Sequence, residues 1–362
     1  MFAYISIVSF VAIMVCTKHV LKFKFPQIFV NFYTFRVDQP PHELAVVEPD
    51  TIKYAPIIPN ADFKFVLHGF MQWKNCPMWL ELREGEIFQR SDLYYTSGSN
   101  PNTEYFKQKP WNIIFIDYSP LARDGCYIDS TFPSIPTVGE CAANMIKFLL
   151  KTRPEIRIEQ FHLIGFSMGA QLAAQVAMYL KPLRLQRITG LDPAFPFFTP
   201  GFVKKENTLN KNHARFVDVI HSNMGIFGVY YSDATYDIYL NNGAFQPGCD
   251  PCNIFRKNSK FIFKIFFNFS RVFVLFCFVL VDPACSHTRA PLVFNESINS
   301  PKQFIADKCD SKTAWLTIRK CTGDHAEYIG VGEHSKPPRS SAGNGIYKMK
   351  TNEKRPYYKQ SW

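Results

Sequence analysis

The stretch Phe161 to Leu180, FHLIGFSMGAQLAAQVAMYL, constrains the chain most. Phe161 to Ile164 read as a short buried strand, and Gly165-Phe166-Ser167-Met168-Gly169 follows as a G-x-S-x-G. Leu172, Ala173, Val176, Ala177 and Leu180 then recur at helical spacing until Pro182 stops the run. A serine on so sharp a strand-to-helix turn is held in a strained backbone conformation, and the flanking glycines let strand and helix approach closely. Ser167 would sit at the helix N-terminus, where free N–H groups and the helix dipole favour developing negative charge. That setting marks Ser167 as a candidate nucleophile; the bland alternative is a structural Gly-rich turn.

Upstream, Phe29 to Phe35, Phe63 to Leu67 and Trp111 to Ile116 read as strands. Val138 to Leu150 reads as a helix, with Cys141, Met145, Ile146 and Leu149 on one side. Strand and helix in alternation predict an α/β fold, a mostly parallel central sheet with helices on both faces. Ser91 to Lys109 reads as a surface loop. Ten cysteines suit an oxidising compartment. The uncharged apolar run Met1 to Cys16 has the length of a secretory signal rather than of a membrane span. The expectation is therefore a secreted, extracellular protein with a signal peptide over 1–17 and one domain over 25–362; a retained signal anchor is the other reading.

A nucleophilic serine needs a base and an acid to orient it, and these are neighbours in space rather than in sequence. Where the chain order is serine, acid, histidine, the first candidate acid is Asp192, at the end of the short apolar run Ile188 to Leu191. Asp218 lies mid-strand in Phe216 to Ile220, where a carboxylate is more often a hydrogen-bonded structural group. Among His213, His221, His287, His325 and His334, His287 stands two residues from Cys285, and a disulfide there would hold it rigid. One oxyanion donor is expected to be the Met168 amide. The second would come from the turn Leu67-His68-Gly69-Phe70, at the Phe70 amide; alone, that turn reads as an ordinary one.

HGF after a strand, G-x-S-x-G, ITGLDPA, FVDVIHS, NNGAFQPGC and CSHTRA occur here in order. Together they resemble the pancreatic-lipase-like family, and most closely its insect-type secreted lipases and venom phospholipases A1. The resemblance implies an α/β-hydrolase fold and a triad of Ser167, Asp192 and His287, taking the acid from the GLDPA loop rather than from Asp218. It implies Phe70 and Met168 as oxyanion donors, and the disulfides Cys249–Cys285, Cys309–Cys321 and Cys126–Cys141. Cys76 and Cys252 have no partners in that pattern except each other. The implied activity is hydrolysis of lipid fatty-acyl esters, phospholipid at sn-1 or acylglycerol, with no cofactor.

The chain also departs from the family. Phe166 replaces the usual histidine before the serine and is expected not to touch the proton relay. Asn210 and His213 stand where the family's calcium loop is acidic, so no metal is expected. The C-terminal β-sandwich domain of the vertebrate enzymes is not expected, nor is a colipase partner, and a monomer is the default. The competing function is a non-catalytic lipid-binding or yolk-type relative, which would lose the serine or its partners.

Residues 255–281, FRKNSKFIFKIFFNFSRVFVLFCFVLV, form an anomalous hydrophobic insertion between Cys249 and Cys285. Three readings stand: a cationic aromatic lid, a membrane span, and a translated intron. A span there would set Ser167 and His287 on opposite sides of a layer about 30 Å thick. Substrate choice follows the same fork, since a short lid resembles the phospholipases A1 and a long one suits triglyceride. The formal charge of +11 includes five cations from this passage and favours anionic lipid surfaces. No base-reading motif accompanies it, so no nucleic-acid partner is expected. Asn295-Glu296-Ser297 is a glycosylation sequon.

Overall fold

The computed structural model describes residues 31–36, 39–44, 53–55, 57–70, 72, 111–122, 132–195, 197–199, 202–249, 285–298, 300, 303–309, 328–340 and 344–359. The leader, the Ser91 to Lys109 loop and the 255–281 insertion lie outside these residues. The strands are β1 (Asn31–Arg36), β2 (Gln39–Leu44), β3 (Phe63–Leu67), β4 (Asn112–Asp117), β5 (Phe161–Phe166), β6 (Leu185–Leu191), β7 (Ala214–His221), β8 (Tyr236–Leu240), β9 (Ile305–Cys309), β10 (Tyr328–Gly330) and β11 (Gly345–Met349). The helices are α1 (Ser119–Ala122), α2 (Phe132–Thr152) and α3 (Met168–Leu180), with α4 over residues 285–298.

The described strands form one sheet in the order β10-β9-β11-β8-β7-β6-β5-β3-β4-β1-β2. From β4 to β11 every neighbouring pair is parallel. β1 and β9 run antiparallel at the two flanks, so β9, β10 and β11 extend this sheet rather than start a second one. The central strands β3, β4 and β5 are buried at every position. Continuous burial is what a parallel sheet covered on both faces demands, and it explains runs such as FKFVL and NIIFID. On one face Phe63, Phe65, Leu67 and Leu163 pack with Met145 and Leu149 of α2 and Leu172 and Val176 of α3. On the other Val66, Ile164, Phe166 and Ile220 pack with Ala290, Val293 and Phe294 of α4. This is the expected α/β-hydrolase architecture, with the strands' carboxyl ends gathered at one edge.

Toward the strands' amino ends the second face carries a buried row of ions. Lys64, His162 and Arg187 are in register across β3, β5 and β6. The Lys64 ammonium donates to Glu333 at 2.5 Å and to His162 Nδ1 at 2.9 Å. Arg187 grips both oxygens of Asp218 at 2.9 and 2.8 Å, and also donates to the carbonyls of Gly332 and Glu333. Glu333 thus ties a distant turn under the sheet, because charges taken out of water need partners of opposite sign. His162 accepts from Lys64 on Nδ1, so its Nε2–H donates to Thr189 Oγ at 2.8 Å. Burial first, then the neighbouring Lys64 and Arg187 charges, hold its imidazole well below the ordinary histidine range.

Two expectations fail in the described residues. Cys141, on α2, is a free, half-buried thiol rather than half of a Cys126–Cys141 disulfide; Cys126 itself lies outside the described residues. Burial and the adjacent Glu140 raise its pKa, which keeps the thiol protonated and unreactive. The Asn295 sequon is sealed inside α4: Asn295 is buried, and the Ser297 hydroxyl donates to Phe294 O at 2.6 Å. A glycan there would have to displace core.

The His162 environment sets a pH dependence. Below about pH 6.5 the unfolded chain takes up a proton on this histidine that the folded chain refuses, so stability is present above that value and is lost as pH falls toward the depressed folded value. The thermal midpoint is expected to drop between about pH 7 and about pH 5, and less steeply in His162→Gln, when both are followed by circular dichroism. Equal slopes would remove His162 as a cause.

Candidate active site

β5 ends at Phe166, and the chain reverses at Ser167 into α3 with φ 55° and ψ −117°. Few non-glycine residues adopt this conformation, and it lifts the Ser167 side chain out of the sheet edge. Ser167 is half-buried between buried neighbours, and its side chain makes no capping bond to the helix it precedes. The turn is possible because its glycines lack Cβ. One on Gly165 would lie 2.3 Å from Gly169 O, and one on Gly169 would lie 2.2 Å from Leu67 O. The second contact shows that the N-terminus of α3 rests against the end of β3, where the His68–Phe70 turn begins.

His68 locks that turn. Its Nδ1–H donates to Gly69 O at 2.8 Å, and Nε2 accepts from the Tyr118 amide at 3.2 Å. Its ring stacks on Tyr118 at 3.9 Å, and the Tyr118 hydroxyl donates back to His68 O. The Gly69 amide is held by Gln72 Oε1 at 2.8 Å. The amides of Phe70 and Met168 therefore belong to adjoining rigid segments: the β3 turn and the first residue of α3.

The ends of three neighbouring strands bring the serine, the acid and the amides that hold the acid to the same edge. The Ser167 amide donates to Leu191 O at 2.9 Å, and the Asp192 amide to Ile220 O at 2.7 Å. Asp192 Oδ1 accepts the amides of Ser222 (2.8 Å) and Asn223 (3.0 Å), just beyond β7. Asp192 Oδ2 accepts from His287 Nδ1 at 2.5 Å. Asp192 is fully buried and His287 nearly so. With Nδ1–H committed to the carboxylate, Nε2 of the neutral ring is left to act as a proton acceptor. Gly228 lies flat against the carboxylate, where a Cβ would sit 2.4 Å from Asp192 Oδ1.

His287 is in the first described turn of α4. The Cys249–Cys285 disulfide, closing 36 positions, anchors the chain two residues before it, as expected. Phe166 is the exception: its ring lies 4.6 Å from the His287 ring, with Phe227 at 5.5 Å on another side. The residue before the serine does touch the imidazole, as an apolar wall rather than a hydrogen-bonding partner. Phe166 also shows that the Ser167 turn and His287 adjoin. Asp218 is far from this group in role, spent on Arg187 and on the Thr189 hydroxyl at 2.9 Å. Cys309 is disulfide-bonded, and its expected partner Cys321 lies outside the described residues.

The sequence reading missed Gln246. Its buried carboxamide donates to Ser222 O (2.9 Å) and Leu240 O (3.0 Å), while its amide N–H donates to the Ser286 hydroxyl at 3.0 Å. It therefore joins the segment that binds Asp192 to the residue before His287. A glutamine set between a turn and Cys249 in NNGAFQPGC was the available signal. No group of three or more His, Cys, Asp or Glu residues suited to a metal occurs among the described residues. The Asn210–His213 turn does not suit calcium: the Asn210 carboxamide nitrogen donates to Thr208 O at 2.8 Å and His213 Nε2 pairs with Glu206 O at 3.0 Å. Nitrogen donors thus occupy the carbonyls a hard cation would need.

The family model described as Lipase matches residues 14–357. The chain belongs to the lipase family. It is 30% identical to pig pancreatic triacylglycerol lipase over 287 residues, covering 76% of this chain and 54% of that protein. It is 37% identical over 212 residues to human pancreatic lipase-related protein 3, covering 56% and 41%, and 25% identical over 289 residues to rat phospholipase A1 member A, covering 79% and 52%. The chain thus spans about half the length of the curated relatives it matches. No described helix is long and apolar enough to cross a membrane.

Gly228→Ala tests the packing under the acid. Its methyl would push Asp192 by part of an ångström, and displacement on that scale costs on the order of 10²-fold in rate. Turnover of a short-chain ester should fall by about that factor with the circular dichroism spectrum preserved, and an unchanged rate would deny Gly228 its role.

Proposed function

We propose that this lipase is a secreted serine esterase that cleaves fatty-acyl esters, the sn-1 ester of phospholipid or acylglycerol, through an acyl-enzyme. The observation that carries the reading is the 2.5 Å Asp192–His287 pair, adjoining the strained Ser167 turn through Phe166.

His287 Nε2 takes the Ser167 proton as the hydroxyl oxygen attacks the acyl carbonyl. Asp192 holds the ring in the Nδ1–H tautomer and offsets the charge it gains; the Ser222 and Asn223 amides keep the carboxylate in place. The Phe70 and Met168 amides receive the oxyanion, their positions fixed beforehand by the His68 clamp and the helix start. His287 returns the proton to the departing alcohol, and water repeats the sequence to release the fatty acid. The apolar walls of Phe166 and Phe227 shield the imidazole from water, which strengthens its pairing with Asp192. Both acylglycerol and phospholipid are proposed as substrates, because the relatives include a triacylglycerol lipase and a phospholipase A1. Homology to the pancreatic lipases and the use of disulfides support secretion.

Ser167→Ala should reduce turnover of a short-chain ester on the order of 10⁶-fold without unfolding the protein; turnover near that of the unaltered chain would reject the nucleophile. The two aspartates separate acid from scaffold. Asp192→Asn should lower kcat by about 10⁴-fold in a folded enzyme. Asp218→Asn strips the buried Arg187 of its counter-charge and should cost about 3–5 kcal/mol of stability while folded molecules keep their kcat. The reverse pattern would exchange the two roles.

A further inference from the structure

A cavity of 560 Å³ opens behind the Asp192 loop, within the range of about 300–1,000 Å³ typical of small-molecule sites. Phe198, Val203, Leu209 and Val229 wall it, with Lys204 and Asp233 among its polar lining. None of the triad or oxyanion residues lines it. It is nevertheless built on the same loop: the Val229 amide donates to Pro193 O at 2.9 Å and the Gln171 carboxamide to Ala194 O at 3.0 Å.

The charges around it are unequally committed. Asp233 accepts from Lys205 (3.0 Å), Lys211 (3.2 Å) and the Tyr231 hydroxyl (3.0 Å), so that carboxylate is fully used. Lys204 is exposed and forms no ion pair among the described residues. Next to it, Phe202 lines the same cavity while 66% exposed. An uncommitted cation and a wet aromatic ring at the edge of an apolar hollow match one apolar chain ending in a single negative charge.

We propose that this cavity is a second lipid site, separate from the ester-cleaving centre, which takes one fatty-acyl chain with its carboxylate on Lys204. It rests on the hydrolase reading in one respect only, that a free fatty carboxylate is the product formed nearby.

The test uses the full chain treated with a fluorophosphonate that blocks the Ser167 hydroxyl, titrated with oleate by calorimetry below its micelle concentration. Binding of one oleate per chain is expected to survive the block. Lys204→Glu should weaken it about fivefold, the upper size of one exposed ion pair, and leave oleyl alcohol binding unchanged. Val203→Trp should fill the cavity and abolish binding of both. Both variants should hydrolyse a short-chain ester at the ordinary rate. Oleate displaced by the block, bound equally by all variants, or not bound at all would overturn the site. Lysophosphatidylcholine binding more tightly than oleate and ignoring Lys204→Glu would overturn the carboxylate assignment. Failure of the fluorophosphonate to label would count against the hydrolase reading alone, since the variants still decide the cavity.

Discussion

The fate of one buried carboxylate governs this structure. Asp192 has left water entirely, and a desolvated carboxylate is tolerable only when its oxygens are satisfied. Here the Ser222 and Asn223 amides and the His287 ring supply the partners, drawn from the ends of β7 and from α4. Each hydrogen bond to a charged group contributes about 1.5–3 kcal/mol. Satisfying Asp192 therefore also fixes the positions of the two segments that donate to it.

A short staircase of backbone bonds extends that order to the serine. Ser167 N–H reaches Leu191 O and Asp192 N–H reaches Ile220 O, each bond stepping to the next parallel strand. The Ser167 carbonyl returns the tie by accepting from Ala194 N–H at 3.0 Å. The sheet works as a ruler: parallel strands ending together offer evenly spaced positions at one edge, where ligands of open α/β sheets bind. At their other ends the Lys64–Glu333 and Arg187–Asp218 pairs fasten the same strands from below. Charge is placed at both ends of the sheet, and the upper end carries the half-buried serine.

Much of this was legible in the chain itself. Helix spacing after Ser167, the run ending at Asp192 and the Cys285–His287 pair each carry local signals, and the structure brings all three segments to one edge. Asp218 behaves as its mid-strand position suggested. What stayed hidden depends on contacts between distant residues. Phe166 reads as an inert substitution until β5 and α4 are set side by side. The Asn295 sequon satisfies a tripeptide rule that ignores burial. The family resemblance pairs Cys141 with Cys126, yet α2 carries Cys141 as a free thiol. Gln246 carries no chemical label in sequence; its importance comes from the two carbonyls and the hydroxyl that meet it. The cavity behind the acid loop is likewise the joint product of the Phe198, Leu209 and Val229 segments.

The central claim is that Ser167 receives the acyl group at this edge. Acid-quenching the enzyme during turnover of a long-chain ester, then mapping its peptides by mass spectrometry, tests it directly. The account predicts one acyl mass increment, on the peptide that contains Gly165 to Gly169. Turnover with no adduct there, or with the acyl group on another residue, would contradict it.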